Sequence, residues 1–184
     1  LLEAMSEEQV SIEDQTFPLK RPFMVVATQN PFEFEGTYYL PENQLDRFLL
    51  RISLGYPDRS SEQRILTLQP VISAAEVVEL QDRVPKVKVD ETILDYILDL
   101  VEASRNEPQL HLGISPRGGL ALTQAAQAAA LLAGRDYLVP DDVKALVVPV
   151  CAHRIISKTY LQNGDANTAT RILQQIMDQV ATPA

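Results

Sequence analysis

The sequence has few of the residues that form disulfides or bind metals: its 184 residues include one cysteine and two histidines. It has no tryptophan. The single Cys151 excludes a disulfide framework and fits the reducing cytoplasm, where we expect the protein to reside. His111 and His153 do not have the spacing of a zinc site, so we expect no metal ligated by this chain. No apolar run approaches the length that crosses a bilayer, and we expect no membrane contact.

Positive charge is also scarce. Sixteen basic residues face 25 acidic ones, which gives a formal charge of -9. An acidic surface repels a phosphate backbone, so a nucleic-acid partner is not expected. The hydrophobic content of 46% is that of a globular protein with a real core.

Two further absences concern the start of the chain and nucleotide binding. The sequence has no G-x-x-x-x-G-K-S/T motif, so nothing in it can cradle a β-phosphate. The first residue is leucine, and the opening residues have a helical pattern. We therefore expect a piece of a longer polypeptide.

The first part of the chain has the pattern of an α/β layer. Residues 9–20 alternate around Glu13 to Gln15, which predicts a hairpin. Within residues 21–28, every position from Phe23 to Ala27 is apolar, which predicts a strand buried on both faces. After a loop, Pro41 suits the first turn of a helix, and the apolar spacing predicts that this helix continues to Ile52.

The pattern becomes entirely helical beyond a boundary that we place near Pro57. Ser73 and Asp90 are predicted N-caps, Gly134 a C-terminal cap, and no further strand is needed. The sequence thus predicts an α/β remnant in residues 1–57 and an all-helical unit in 58–184, mostly α overall. The predicted helices are 62–68, 74–83, 90–104, 116–133, 140–152 and 168–180.

Asn30 is the first candidate for chemistry. It follows the predicted buried strand, and Pro31 forces its backbone into an extended conformation that ends the strand. Ligands of open α/β sheets bind outside the carboxyl ends of the strands, where an amide can hold a water molecule or a phosphate oxygen. The alternative is an asparagine that only caps a turn.

Arg47 is the second candidate. It lies on the polar side of the predicted helix, whose apolar side anchors it and fixes its direction. A rigidly aimed guanidinium can stabilise the charge on a transferred phosphoryl group, including one bound by a neighbouring subunit. The alternative is a solvated arginine in a surface ion pair.

Arg117 is the third candidate, in the stretch "GISPRGGLALTQ". Ser115 is the predicted N-cap, so Arg117 places a cation at the positive end of a helix, which is unfavourable by about 0.3–1 kcal/mol. A bound anion would reverse the sign, because backbone N–H groups, dipole and guanidinium would attract it together. Gly118 and Gly119 would give room for close approach. The alternative is a partner carboxylate among the 25 acidic residues.

Two other residues suit structural roles. His153 follows an apolar helical stripe and is expected to be a helix C-terminal histidine that the dipole favours. Cys151 is expected to be a packed thiol.

Three segments, in order and spacing, resemble MoxR-type AAA+ ATPases. Residues 1–31 are similar to the helix after the Walker B strand and the pre-sensor-1 hairpin. Residues 27–52, "ATQNPFEFEGTYYLPENQLDRFLLRI", resemble the segment from sensor 1 to the arginine finger. Residues 114–155, beginning "ISPRGG", resemble the sensor 2 helix and the following lid. The resemblance ends near Arg154.

The resemblance implies a role for each candidate. Asn30 matches sensor 1, which helps orient the attacking water near the γ-phosphate. Arg47, in "LDRF", matches the finger that reaches into the adjacent protomer's site. Arg117, in "SPRG", matches sensor 2, which couples the lid to the nucleotide. The phosphate loop and the acids that hold Mg²⁺ would lie before Leu1, so this chain alone is expected neither to hydrolyse ATP nor to bind it tightly.

The resemblance also implies a ring-forming parent, hexameric in the family, that assembles or activates client proteins, including ones with von Willebrand A domains. The hairpin around Glu13 to Gln15 would then be a candidate contact for the client. Three alternatives stay open: a magnesium-chelatase-like subunit, a nucleic-acid motor with salt-sensitive DNA binding, and a scaffold whose ATP site is degenerate. The acidic charge speaks against the motor.

Overall fold

The computed structural model describes residues 2–28, 41–68, 70–158 and 166–183, without the side chains of Leu2, Glu42 and Ala166. It begins with α1 (Leu2–Glu7), followed by β1 (Gln9–Ile12) and β2 (Gln15–Pro18). The two strands are antiparallel, with Ile12 opposite Gln15, which confirms the predicted hairpin.

The strand predicted at residues 21–28 is wrong. Residues 23–28 belong to no strand, and Met24 and Val26 are 80% and 75% exposed. A strand requires a neighbour that takes up its backbone hydrogen bonds. Among the described residues, the strands pair only as β1 with β2 and β3 with β4, so this segment has no such neighbour.

The helix predicted at residues 41–52 is much shorter than expected. Helix α2 spans only Glu42–Leu45, and a turn follows it. Leu49 and Ile52, which the helical pattern would have buried, are exposed. The physical cause is a set of hydrogen bonds that His153 and Arg154 donate to the carbonyls of Asp46, Phe48 and Leu49, described with the site below.

The helical part agrees closely with the sequence pattern. Ser73 caps α4 in a capping box with Glu76, Asp90 caps α5, and Gly134 has a positive φ of 78° after α6. The helices are α3 (Arg59–Ile65), α4 (Ala74–Arg83), α5 (Glu91–Asn106), α6 (Pro116–Leu132), α7 (Pro140–Cys151) and α8 (Ala166–Gln179). A short 3₁₀ turn, Val84–Lys86, follows α4.

Two short strands interrupt the helical part, where the sequence predicted none. Strand β3 (Leu110–Leu112) pairs antiparallel with β4 (Ile156–Ser157). Three and two residues are too few for the alternation that identifies a strand in a sequence. The pair ties the connection before α6 to the chain after α7.

The core lies between α5, α6, α7 and α8. The alanine-rich stretch of α6 forms its middle, as predicted, because small side chains let the neighbouring helices approach closely. None of the residues of α3 and α4 is buried. Fully buried members of the core include Leu100, Leu122, Ala126, Val143, Val150, Cys151, Ile172 and Leu173.

Candidate functional site

The site begins where residues 46–51, here called the docking segment, meet the carboxyl end of α7. The last four carbonyls of a helix have no partner within it, so an end that is covered needs donors from elsewhere. The Arg51 amide donates to the carbonyl of Pro149 over 2.8 Å, and the Arg154 side chain donates to that of Val150. The docking segment therefore supplies part of the cap of α7.

The side chain of Arg154 also binds the docking segment. Its side chain is only 2% exposed, yet all three of its nitrogens donate hydrogen bonds. A buried guanidinium is tolerated only when its donors are satisfied and its charge is paired. Besides Val150, its acceptors are the Asp46 carboxylate (3.0 Å) and the carbonyls of Asp46 (3.2 Å), Phe48 (2.7 Å) and Leu49 (3.1 Å).

Asp46 connects Arg154 to the start of α6. Its carboxylate accepts from Arg154 Nε at 3.0 Å and from the Ser115 hydroxyl at 3.3 Å. Ser115 Oγ in turn accepts the Gly118 amide at 3.1 Å, which confirms Ser115 as the N-cap of α6. One carboxylate thus joins the docking segment, the cap of α6 and Arg154, which lies three residues beyond the end of α7.

His153 lies beside this network and corrects a prediction. Its Nε2 donates to the Phe48 carbonyl at 2.9 Å, and its ring is buried. Burial, together with the charges of Arg154 and Arg51, lowers the pKa of His153 to about 4, against the opposing effects of the Phe48 hydrogen bond and Asp46. The imidazole is neutral at pH 7, so the expected dipole-favoured cation is wrong. Cys151 is a packed thiol, as predicted, and burial raises its pKa to about 12.

The start of α6 differs in detail from the expected anion site. Pro116 has no N–H and the Gly118 amide is taken by Ser115, so the helix offers an anion fewer backbone donors than predicted. The space at Gly118 is also filled: an added Cβ would lie 2.8 Å from Ile114 and 3.2 Å from Arg154. The Arg117 guanidinium is therefore the main attraction for an anion here.

Arg117 has a carboxylate nearby and keeps much of its surface. Its Nη1 lies 4.0 Å from Asp46 Oδ2, and its side chain is 54% exposed. An ion pair at this distance and exposure contributes little, since exposed pairs are worth about 0–1 kcal/mol. Asp46 is thus the partner carboxylate of the alternative interpretation, held at long range.

Arg47 lines the same groove as Arg117. Its Nη1 donates to the Ser6 hydroxyl of α1, and its side chain is half-buried. The groove has a volume of about 250 Å³, below the roughly 300–1,000 Å³ of pockets for whole small molecules. It suits a phosphate-sized group. Its polar lining consists of Ser6, Asp46, Arg47, Arg117, Gln124 and Arg154.

The charge of the groove is opposite to that of the chain. Three arginines face one aspartate in its lining, whereas the whole chain carries a formal charge of -9. Arg154 is buried and donates to Asp46 and backbone carbonyls, so the attraction for an oxyanion such as phosphate, which accepts two hydrogen bonds from one guanidinium fork, rests on Arg47 and Arg117.

The structure brings together two of the three predicted site residues. Arg47 and Arg117 share the groove, and Asn30 lies outside the described residues. Sequence reasoning missed Asp46 and Arg154 as a pair. The available signal was an arginine between the apolar residues that end α7 and begin β4, a position where a buried charge requires a carboxylate.

The described residues contain neither a metal-binding group nor a membrane-spanning helix. In the ranges that the structure covers, no three histidine, cysteine, aspartate or glutamate residues group as a metal site requires. No helix within those ranges has the length and apolar character needed to cross a bilayer.

Comparison with known proteins places this geometry in a family. Residues 1–50 match the ATPase family associated with various cellular activities (AAA), and residues 102–176 match the AAA lid domain. A crystal structure of a candidate ATPase from Cytophaga hutchinsonii superposes with a TM-score of 0.85 at 35% identity, covering 100% of this chain and 61% of that one. The class is thus an AAA ATPase segment followed by its lid, which confirms the predicted fold class.

Two relatives indicate which kind of AAA ATPase the chain resembles. YeaC of Bacillus subtilis is 42% identical over 193 residues, which cover 100% of this chain and 60% of YeaC. Chaperone MoxR1 of Mycobacterium tuberculosis is 36% identical over 200 residues, with 100% and 53% covered. The chain belongs to the MoxR-type AAA+ ATPases. It spans little more than half the length of these relatives.

Proposed function

We propose that the chain is the carboxyl-terminal part of an ATPase unit whose hydrolysis of ATP drives chaperone-like assembly or activation of partner proteins. The observation that carries the proposal is the groove at the start of α6, whose lining includes Arg47, Arg117, Arg154 and Asp46. Similarity to a relative named Chaperone MoxR1 supports the chaperone-like task.

Each candidate residue has a distinct proposed role. Arg117 contacts the phosphates of the nucleotide and, because it lies on α6, couples the position of the lid to the bound nucleotide. Arg47 acts as the arginine finger for the nucleotide of an adjacent protomer, and the exposed part of the groove is the side from which that nucleotide approaches. Asn30 orients the attacking water. Because the chain has no phosphate-binding loop, ATP and Mg²⁺ are held by other parts of the longer protein, and this chain alone is inactive.

The proposed assembly is a homo-oligomeric ring, hexameric as the resemblance implies, in the cytoplasm. Shared sites of this kind require neighbouring protomers, because one protomer supplies the finger and the next holds the nucleotide. Client proteins, von Willebrand A domains among them, would meet the hairpin turn between β1 and β2, where Ile12 and Phe17 are exposed.

The test of Arg47 uses the full-length protein. Arg47→Ala is expected to lower kcat by roughly 10³-fold or more, the range measured for arginine fingers, and to leave the Kd for ATP nearly unchanged. The matched control is Arg51→Ala, four residues later in the docking segment. Its backbone amide keeps its bond to Pro149, so turnover should stay normal. Normal turnover of the Arg47 variant would refute the assignment.

A mixing experiment separates the two subunits. Arg47→Ala subunits are combined with subunits that lack their own water-activating acid, each inactive alone. Activity in the mixture is expected because an intact finger then meets an intact nucleotide site across some interfaces. An inactive mixture would show that Arg47 acts on the nucleotide of its own chain.

A further inference from the structure

Arg47 lies on a segment that cannot aim a side chain by itself. Helix α2 ends at Leu45 after four residues, and Asp46 and Arg47 form the turn that follows it. A group that stabilises a transition state has to be held within a fraction of an ångström by its supporting contacts. The direction of Arg47 therefore depends on what holds the turn, as well as on the hydrogen bond from its guanidinium to the Ser6 hydroxyl.

Arg154 and the Asp46 carboxylate provide that support. Arg154 donates to the carbonyls on both sides of Arg47, those of Asp46 at 3.2 Å and Phe48 at 2.7 Å, and to the Asp46 carboxylate at 3.0 Å. Because Arg154 is 2% exposed, water cannot replace these acceptors. Rotation of the turn would leave a buried cation without partners, which is costly.

The same carboxylate contacts the start of α6. Asp46 accepts from the Ser115 hydroxyl and lies 4.0 Å from Arg117, which immediately follows the first residue of that helix. A shift of α6 would thus move the carboxylate of Asp46, the residue that directly precedes Arg47 in the chain. This provides a physical link between the lid and the turn that carries Arg47.

We propose that Asp46 and Arg154 are positioning residues: their ion pair fixes the direction of Arg47 and transmits the position of α6 to it. The inference rests on the proposed function, because it assigns Arg47 to phosphoryl transfer. Neither residue needs to touch the nucleotide.

The test is Asp46→Asn in the full-length protein. It removes the charge that pairs with Arg154 and keeps the size of the side chain. We expect kcat for ATP hydrolysis to fall roughly 10- to 100-fold, as misplacement of a catalytic group by about 1 Å does, while KM for ATP changes less than about twofold. The conservative Asp46→Glu should restore part of kcat, since it restores the charge.

The matched control is Asp142→Asn. Asp142 forms a comparable ion pair with Arg135, 2.6 Å apart and only partly exposed, beyond the opposite end of α6. The 17 residues of α6 separate the two pairs by about 25 Å. Both substitutions should lower the melting temperature by similar amounts, and only Asp46→Asn should lower kcat. Equal loss of kcat in both would identify a general effect of stability and overturn the inference.

Mixed rings identify the subunit that is affected. Asp46→Asn subunits keep their own nucleotide site, whereas subunits without the water-activating acid keep a well-aimed Arg47. Their mixture should therefore hydrolyse ATP faster than either alone. No gain here, beside a gain when Arg47→Ala is mixed with the same acid-deficient subunits, would overturn the inference. If Asp46→Asn has a normal kcat and Arg47→Ala is inactive, the positioning role alone is refuted. If Arg47→Ala is active, the proposed function itself is refuted.

Discussion

At the scale of residues, neighbours in sequence reach opposite protonation states in one environment. Arg154 is buried and keeps its charge because Asp46 and four carbonyls accept its hydrogen bonds. His153 is buried with one acceptor, the Phe48 carbonyl, so a second proton on its ring would gain no partner among the described residues. The docking segment is thus bound by the charged guanidinium of Arg154 and by the neutral imidazole of His153.

This difference predicts a pH dependence of stability. The pKa of His153 is about 4 in the folded chain, and about 6.5 is expected when unfolded. Between these values the unfolded state binds a proton that the folded state does not, so stability is present above pH 6.5 and is lost as the pH falls. From pH 7 to pH 5, His153 alone should remove about 2 kcal/mol from the free energy of unfolding in urea.

The control for this prediction is His153→Gln, whose amide can still donate to the Phe48 carbonyl but does not titrate. Its free energy of unfolding should vary less between pH 7 and pH 5, by the same about 2 kcal/mol. An identical pH profile for both proteins would mean that His153 is not buried in its neutral form.

At the scale of elements, α6 organises both the core and the site. Ala121, Ala125, Ala126 and Ala130 lie on its buried side, so α5 and α7 pack against a surface of methyl groups. Its first turn carries Ser115 and Arg117, which contact Asp46. Close packing of the helix therefore fixes the position of the groove.

The packing of α6 gives a second stability prediction. Ala126 is fully buried, and Ala126→Leu inserts three carbons where no space exists. It should cost about 1–3 kcal/mol of unfolding free energy, as overpacking of cores does. The control is Ala145→Leu on the exposed side of α7, which should change stability by less than about 0.5 kcal/mol. Equal effects of the two substitutions would show that α6 is not closely packed.

The same contrast explains which elements the sequence predicts. Helices α4 to α7 follow from caps and apolar spacing within a few residues, so their bounds are predicted within about two residues at most ends. The predictions of a strand at 21–28 and of a helix beyond Leu45 are wrong because the outcome depends on residues distant in the chain. The strand has no described neighbour to pair with, and the carbonyls after Leu45 accept hydrogen bonds from distant side chains. Arg154, which takes the carbonyls of the docking segment, is 108 residues from Asp46 in the chain.

At the scale of the whole molecule, the site is predictable only in part for the same reason. Arg117 at the second position of α6 follows from the local Ser-Pro signal and is confirmed there. That Arg47 shares a groove with it depends on the docking of the 46–51 segment against α7, a contact between residues about a hundred positions apart. The Asp46 and Arg154 pair belongs to that contact and has no local signature.

The account as a whole depends on the groove being a phosphate site. Arg117→Ala in the full-length protein tests this, because Arg117 is the exposed arginine at the start of α6. Loss of a charge-assisted hydrogen bond of about 1.5–3 kcal/mol predicts a Kd for ATP raised roughly 10- to 100-fold, measured by titration calorimetry. Arg171→Ala, on the exposed surface of α8, should leave the Kd unchanged. An Arg117→Ala protein that binds ATP as tightly as the unaltered one would contradict the account.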